Sequence, residues 1–247
     1  MKKGGEQMEG VRLAALFSLG CSEVAFRFDY FKTLTNFLMF PSRQDLINAQ
    51  KILENLPVLY PYLQAIAICN DLNPFDKKVV EAYFVGNELL ERVSFQRICG
   101  IIQQILEKRK VEKGQILEIL NNLPSNIKPH HNFHVLYLFP KISKERISMN
   151  LLELCRVAWA RVIGRGQRQL EVEYIPLRKE KGRIRLEKEA IRITIGYAQE
   201  IFPRIEIGDI IALHWGKPCM VLSQTQVQLL ERYTKEALNC AKIEGER

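Results

Sequence analysis

The sequence predicts an α+β protein: an N-terminal all-helical domain over residues 1–145, then a small β-barrel with a C-terminal helix over residues 150–242. Three observations predict it. Apolar residues recur at spacings of three and four through the first half, the period of a helix with one buried face. After about residue 150 they alternate with polar ones, the period of strands with one wet face. Glycines punctuate that second part at 164, 166, 182, 196, 208 and 216, as a series of tight turns requires.

In the helical part, Ser42 with Asp45 has the form of a capping box that starts a short helix running to Pro57. Pro74 suits the first turn of another helix, because its missing donor would be unpaired there. Val79, Ala82, Val85, Leu89 and Val93 form the apolar stripe of that helix. Ser94 caps the next one, whose stripe is Phe95, Ile98, Ile102 and Ile105, and Lys108-Arg109-Lys110 ends it with cations at the negative helix terminus. A further short helix spans Gln115 to Asn122 before Pro124.

Strands follow at Leu170, Val172 and Tyr174, at Ile184 and Leu186, and at Ile191, Ile193 and Ile195. Several short strands with glycine turns in a short span point to a small barrel. The closing helix starts with a capping box, Ser223 with Gln226, and a hydrophobic staple, Leu222 with Val227. Its buried stripe is Val227, Leu230, Tyr233 or Thr234, and Ala237.

Composition narrows the function classes. At 47% hydrophobic and 26% charged, the 247 residues are rich enough to bury a core, which excludes wholesale disorder. No apolar stretch reaches the roughly 20 residues of a membrane span. The start, Met1-Lys2-Lys3-Gly4-Gly5-Glu6, lacks the apolar run of a signal peptide, so the expected location is cytoplasmic and no membrane partner is expected. Six cysteines, at 21, 69, 99, 155, 219 and 240, contain no C-x-x-C pair. A structural zinc knuckle is therefore not expected, and reduced thiols acting singly are.

The formal charge is +8, of which +2 falls in residues 1–140 and +6 in residues 141–247. The basic residues from Arg161 to Arg192 interleave with Glu171, Glu173, Glu180, Glu187 and Glu189. That mixture reads as a solvated strand surface more than as a phosphate track, and a nucleic-acid partner is not expected. Three of the four histidines cluster at His130, His131 and His134. On a helix, His130 and His134 share a face at a spacing that can bind a metal; the other reading is a polar interdomain connection. No H-E-x-x-H is present, so nothing supports a metallopeptidase.

The most informative segment is Ile207-Gly208-Asp209-Ile210-Ile211-Ala212-Leu213-His214-Trp215-Gly216, followed by a short apolar strand and the final helix. It resembles the close of the hydrogenase-maturation chaperones of the HypC/HupF family, V-G-D-x-V-x-V-H-x-G. Cys155-Arg156-Val157-Ala158-Trp159-Ala160-Arg161-Val162 resembles that family's opening, a cysteine followed by L-A-I-P-G-K-V. Here the cysteine is internal and Trp159 replaces the proline. The resemblance covers about residues 153–240. It implies an OB-like barrel presenting Cys155 and His214 near one another, with iron passing transiently as cargo. The implied partner is an immature hydrogenase large subunit or the iron-bearing scaffold. A thiolate is the soft ligand such an iron prefers, and the neighbouring Arg156 would favour it. The histidine segment, the Asn73–Val93 helix and the Cys155–Val162 stretch also resemble an uncharacterised prokaryotic family that often accompanies nickel–iron hydrogenase genes.

The resulting expectation is an accessory or chaperone protein in nickel–iron hydrogenase maturation, which need not catalyse anything. The alternatives are a nucleic-acid-binding barrel using exposed aromatics such as Tyr174 or Tyr197, and a thiol enzyme built on Cys155 and His214.

Overall fold

The computed structural model of the chain describes residues 2–143 and 147–241. The boundary expected near residue 145 and the barrel limit at residue 242 lie outside the described residues. Its first half is helical: α1 (Lys2–Ser18), α2 (Ser22–Ala25), α3 (Phe28–Met39), α4 (Arg43–Glu54), α5 (Leu59–Ile68), α6 (Lys77–Phe84), α7 (Phe95–Lys108) and α8 (Lys113–Asn121). Ser42 and Ser94 cap α4 and α7, each hydroxyl accepting a backbone N–H three residues on, from Asp45 and from Arg97.

The helix expected from Pro74 to Val93 begins later and ends earlier. The Asn73 side chain accepts the Phe75 N–H in a turn, and Asp76 becomes the cap. At the other end Gly86 adopts φ +101°, where a Cβ would lie 2.3 Å from the Tyr233 ring. The chain turns there and resumes as a 3-10 segment, Glu88–Arg92. All five residues of the expected stripe are nonetheless buried, because the bend keeps the same side toward the core.

The histidine segment is one continuous helical run. It comprises α9 (His131–Phe133), a π-helical turn (His134–Leu138) and α10 (Phe139–Ile142). After it come α11 (Met149–Cys155), strands β1 (Ala158–Arg165), β2 (Gln169–Tyr174), β3 (Leu177–Glu180), β4 (Arg183–Leu186), β5 (Ile191–Gly196), β6 (Ile210–His214) and β7 (Lys217–Val221), and α12 (Gln224–Cys240). The predicted capping box of α12 is present, and its predicted stripe is buried. The class is therefore α+β.

A closed barrel is not what the strands form. Five of them make an antiparallel sheet ordered β5-β2-β1-β6-β7, whose edges are not hydrogen-bonded to each other, while β3 and β4 pair only with one another. The physical reason lies in α11. Glu153 accepts the Leu177 N–H at the head of β3, and the buried Arg156 donates to Glu153 and to the Ile175 carbonyl. These bonds hold the β3–β4 ribbon against α11, and β4 packs on α12.

Helices and sheet share one apolar core, and α1 packs directly on β7. The polar join is Asn132. Its amide donates to the Val157 carbonyl at 2.9 Å and to Thr234 Oγ1 at 2.8 Å, and it accepts the Val157 N–H at 2.8 Å. One fully buried side chain thus fastens α9 to the entry of β1 and to α12. Asn132→Ala should destabilise the fold by about 3 kcal/mol in denaturant unfolding, since it strands buried partners on two elements. Thr234→Val, which removes one of those bonds, should cost roughly 1 kcal/mol. Gly86→Ala should cost about 2 kcal/mol, through both the left-handed φ and the clash with Tyr233.

Candidate functional site

A cavity of about 230 Å³ opens where the end of α1, the loop into α2, the histidine segment, the end of α11 and the β6–β7 turn meet. Its walls include Phe17, Cys21, Glu23, Tyr83, Phe84, Arg109, His131, His134, Cys155, His214 and Trp215. Cys155 and His214, far apart in sequence, line it together.

Local structure explains how each arrives. His214 is the last residue of β6, and a two-residue turn of Trp215 and Gly216, both at positive φ (53° and 66°), returns the chain into β7. A tryptophan in that region is strained. It is held by its N–H donating to the Leu154 carbonyl at 2.8 Å, and its side chain lies over Gly20, where a Cβ would come within 2.2 Å of it. The last turn of α1 leaves carbonyls without helical partners. The sheet satisfies two of them: His214 Nδ1–H donates to the Phe17 carbonyl at 2.6 Å, and the Cys219 thiol donates to the Leu16 carbonyl at 3.6 Å.

The histidines divide by role. His131 Nε2–H donates to the Cys155 carbonyl at 2.9 Å, which leaves Nδ1 to accept the Tyr83 hydroxyl at 3.2 Å. Its ring meets that of His214 edge-on, with centroids 4.9 Å apart. His134 Nδ1 pairs with the Tyr62 hydroxyl at 3.2 Å. His130 instead turns away: its Nδ1 caps α9 by accepting the Asn132 N–H, and its ring stacks on Tyr233. His130 and His134 therefore do not form the i, i+4 metal pair, because capping and the π-helical turn send their rings to different neighbours. Among the described residues, no three His, Cys, Asp or Glu side chains are already set to hold a metal ion. The cluster packs between the helices and the start of the sheet, His131 reaching Cys155 and Asn132 reaching Val157.

Burial sets the electrostatics. It pushes the pKa of His130 and His134 down to about 3 and that of His214 to about 4. His131 is also lowered well below its usual value, by burial first and then by the charge His214 would carry. All four rings are neutral at pH 7. In neutral His214 the proton sits on Nδ1, so Nε2 carries a lone pair; that atom is buried and has no hydrogen-bond partner.

The Cys155 thiol is pushed up to about 12 by burial, with a further contribution from the charge of Cys21. Arg156 does not offset this, contrary to the sequence expectation. Its guanidinium is committed to Glu153 at 2.7 Å and faces the β3 entry. Arg109, at the cavity wall, is 3.7 Å from Glu23. Cys69 and Cys99 are partly exposed.

The residues that sequence reasoning missed are Cys21, Glu23, Tyr83, Arg109 and Trp215, which reach the cavity only through the packing of α1, α2, α6 and α7 around the histidine segment. Only Trp215 carried a local signal, lying inside the best-matched motif.

Depressed histidine pKa values fix a pH dependence. From pH 6.5 downward the unfolded chain takes up protons on histidines that the folded chain leaves neutral. Stability is therefore full above pH 6.5 and is lost as pH falls toward 4. The slope should reach about 1.4 kcal/mol per pH unit for each histidine, measured by denaturant unfolding at pH 7, 6 and 5. Iodoacetamide at pH 7 should alkylate Cys155 and Cys21 far more slowly than an unhindered cysteine peptide, because both thiols are held protonated, each near 12.

No helix among the described residues is long and apolar enough to cross a membrane. No curated protein and no solved structure matches the chain. The matched segment, residues 44–246, includes His131, Cys155 and His214, while Phe17, Cys21 and Glu23 lie before it. The chain belongs to a family of unknown function, DUF6390, whose model matches over those residues.

Proposed function

We propose that the protein is an accessory or chaperone factor of nickel–iron hydrogenase maturation, acting in the cytoplasm on an immature large subunit or an iron-bearing scaffold. The five-stranded sheet then stands in for the family's OB-like barrel. The observation that carries the reading is the meeting of Cys155 and His214 in one cavity. Those are the two residues that the HypC/HupF resemblance singles out.

The site's chemistry favours holding over turnover. A nucleophilic thiol needs a thiolate, and burial disfavours one at Cys155, while the guanidinium of the adjacent Arg156 is committed to Glu153. An incoming soft metal centre replaces the thiol proton and needs no such activation. The basic strands also offer little to a nucleic acid. Arg178 and Arg185 pair with Glu180, Arg192 with Glu173, and Arg204 with Glu206.

The test is affinity purification of the full chain from its native host, with mass spectrometry of the co-purifying proteins. A hydrogenase large-subunit precursor or maturation scaffold should accompany the wild type and be lost with Cys155→Ala. That variant should cost under about 1 kcal/mol of stability, because the thiol is only half-buried. Recovery without any hydrogenase component, or with nucleic acid in its place, would overturn the reading.

A further inference from the structure

The β3–β4 ribbon takes no part in the cavity wall, and it has an open edge of its own. β4 pairs with β3, and among the described residues its other edge carries no strand. The register shows which groups face that edge. The Glu187 N–H donates to the Pro176 carbonyl at 2.8 Å, one step beyond the pair of Leu177 and Leu186. Bonded residues alternate along an antiparallel ladder, so Arg185 and Arg183 turn their backbone groups toward β3. Ile184 and Leu186 turn theirs outward, and among the described residues no backbone bond reaches them from outside the ribbon. A groove of about 210 Å³ is lined by all four residues of β4 and by Lys235, Leu238 and Asn239 of α12. Successive side chains of a strand point to opposite faces, so a groove that touches all four runs along the edge itself.

We infer that the β4 edge binds an extended acidic peptide segment of a partner protein, which adds to the ribbon as a further strand. Charge selects that occupant. Among the described residues the groove presents the cations Arg183, Arg185 and Lys235 and no carboxylate. Arg183 has no ion pair among the described residues, Arg185 shares Glu180 with Arg178, and Lys235 holds Glu231 in an exposed pair. Exposed pairs of this kind are weak, and an incoming carboxylate competes with them. Arg183 and Arg185 lie two residues apart on one face of the ribbon, the repeat at which a strand with every second residue acidic presents its carboxylates. A second copy of β4 would set the same cations against each other, which is how a charged edge prevents self-pairing. A nucleic acid could meet the cations, but it lacks the alternating N–H and C=O groups that Ile184 and Leu186 are placed to bond. The surface is separate from the cavity and does not depend on the maturation reading.

The probe is a fluorescein-labelled hexapeptide of alternating Glu and Val, titrated with the full chain and followed by fluorescence anisotropy. It should bind one to one, and more weakly as salt rises. A Lys-Val peptide of the same length should not bind. Arg183→Gln combined with Arg185→Gln should weaken binding by about tenfold or more, whereas Arg192→Gln, which removes an exposed cation on β5, should behave as wild type. Two further peptides carry N-methyl groups on alternate residues, one on each set. Strand addition turns one set of N–H groups toward β4 and the other toward solvent. One methylated peptide should therefore lose about tenfold or more in affinity while the other binds like the parent. That comparison uses the wild type alone, so it is independent of how the variants fold. No binding, binding of the Lys-Val peptide, or equal affinity of the two methylated peptides overturns the inference. A single-stranded oligonucleotide that binds more tightly than the Glu-Val peptide, or a dimer of the chain that excludes the peptide, overturns it as well.

Discussion

The structure depends on a single buried amide. Asn132 is sealed from solvent and spends its donors and acceptor on the Val157 backbone and on Thr234. A polar side chain at that depth is tolerable only when every bond is made, so the amide fixes the histidine segment, the start of β1 and α12 in one relative position. His131 precedes it directly and is thereby aimed at the Cys155 carbonyl and the His214 ring. The cavity inherits its geometry from this join.

A second constraint comes from the end of α1. A helix terminus buried against a sheet needs partners for its carbonyls, and β6 and β7 supply them through His214 and Cys219. Meeting that structural need places the His214 proton on Nδ1. One hydrogen bond therefore both seats the helix and orients the His214 ring at the cavity wall. The strained Trp215 turn and its bond to Leu154 hold the next residue of the wall against α11.

The electrostatics follow from the same burial. Three neutral histidines and two protonated thiols form a site with little charge of its own, bordered by the Glu23–Arg109 pair. Such a site resists becoming charged on one side only, because a lone ion would meet neither water nor a counter-ion.

The sequence by itself determined the class and most local structure. Caps at Ser42, Ser94 and Ser223 and the α12 stripe depend on neighbours within a few residues, so their physics is written locally. The motif around His214 and the segment after Cys155 were legible for the same reason. Tertiary structure decided the rest. Gly86 ended a helix that periodicity would have continued: it takes a left-handed φ, and Tyr233, distant in sequence, fills the space a Cβ would need there. The open sheet arose because the Glu153–Arg156 pair holds the β3–β4 ribbon at α11. Arg156 was adjacent to Cys155 in sequence yet bonded elsewhere, since a buried guanidinium must go where its acceptors are. Cys21 carried no local signal at all; only tertiary packing brought it to the wall of the cavity that Cys155 also lines.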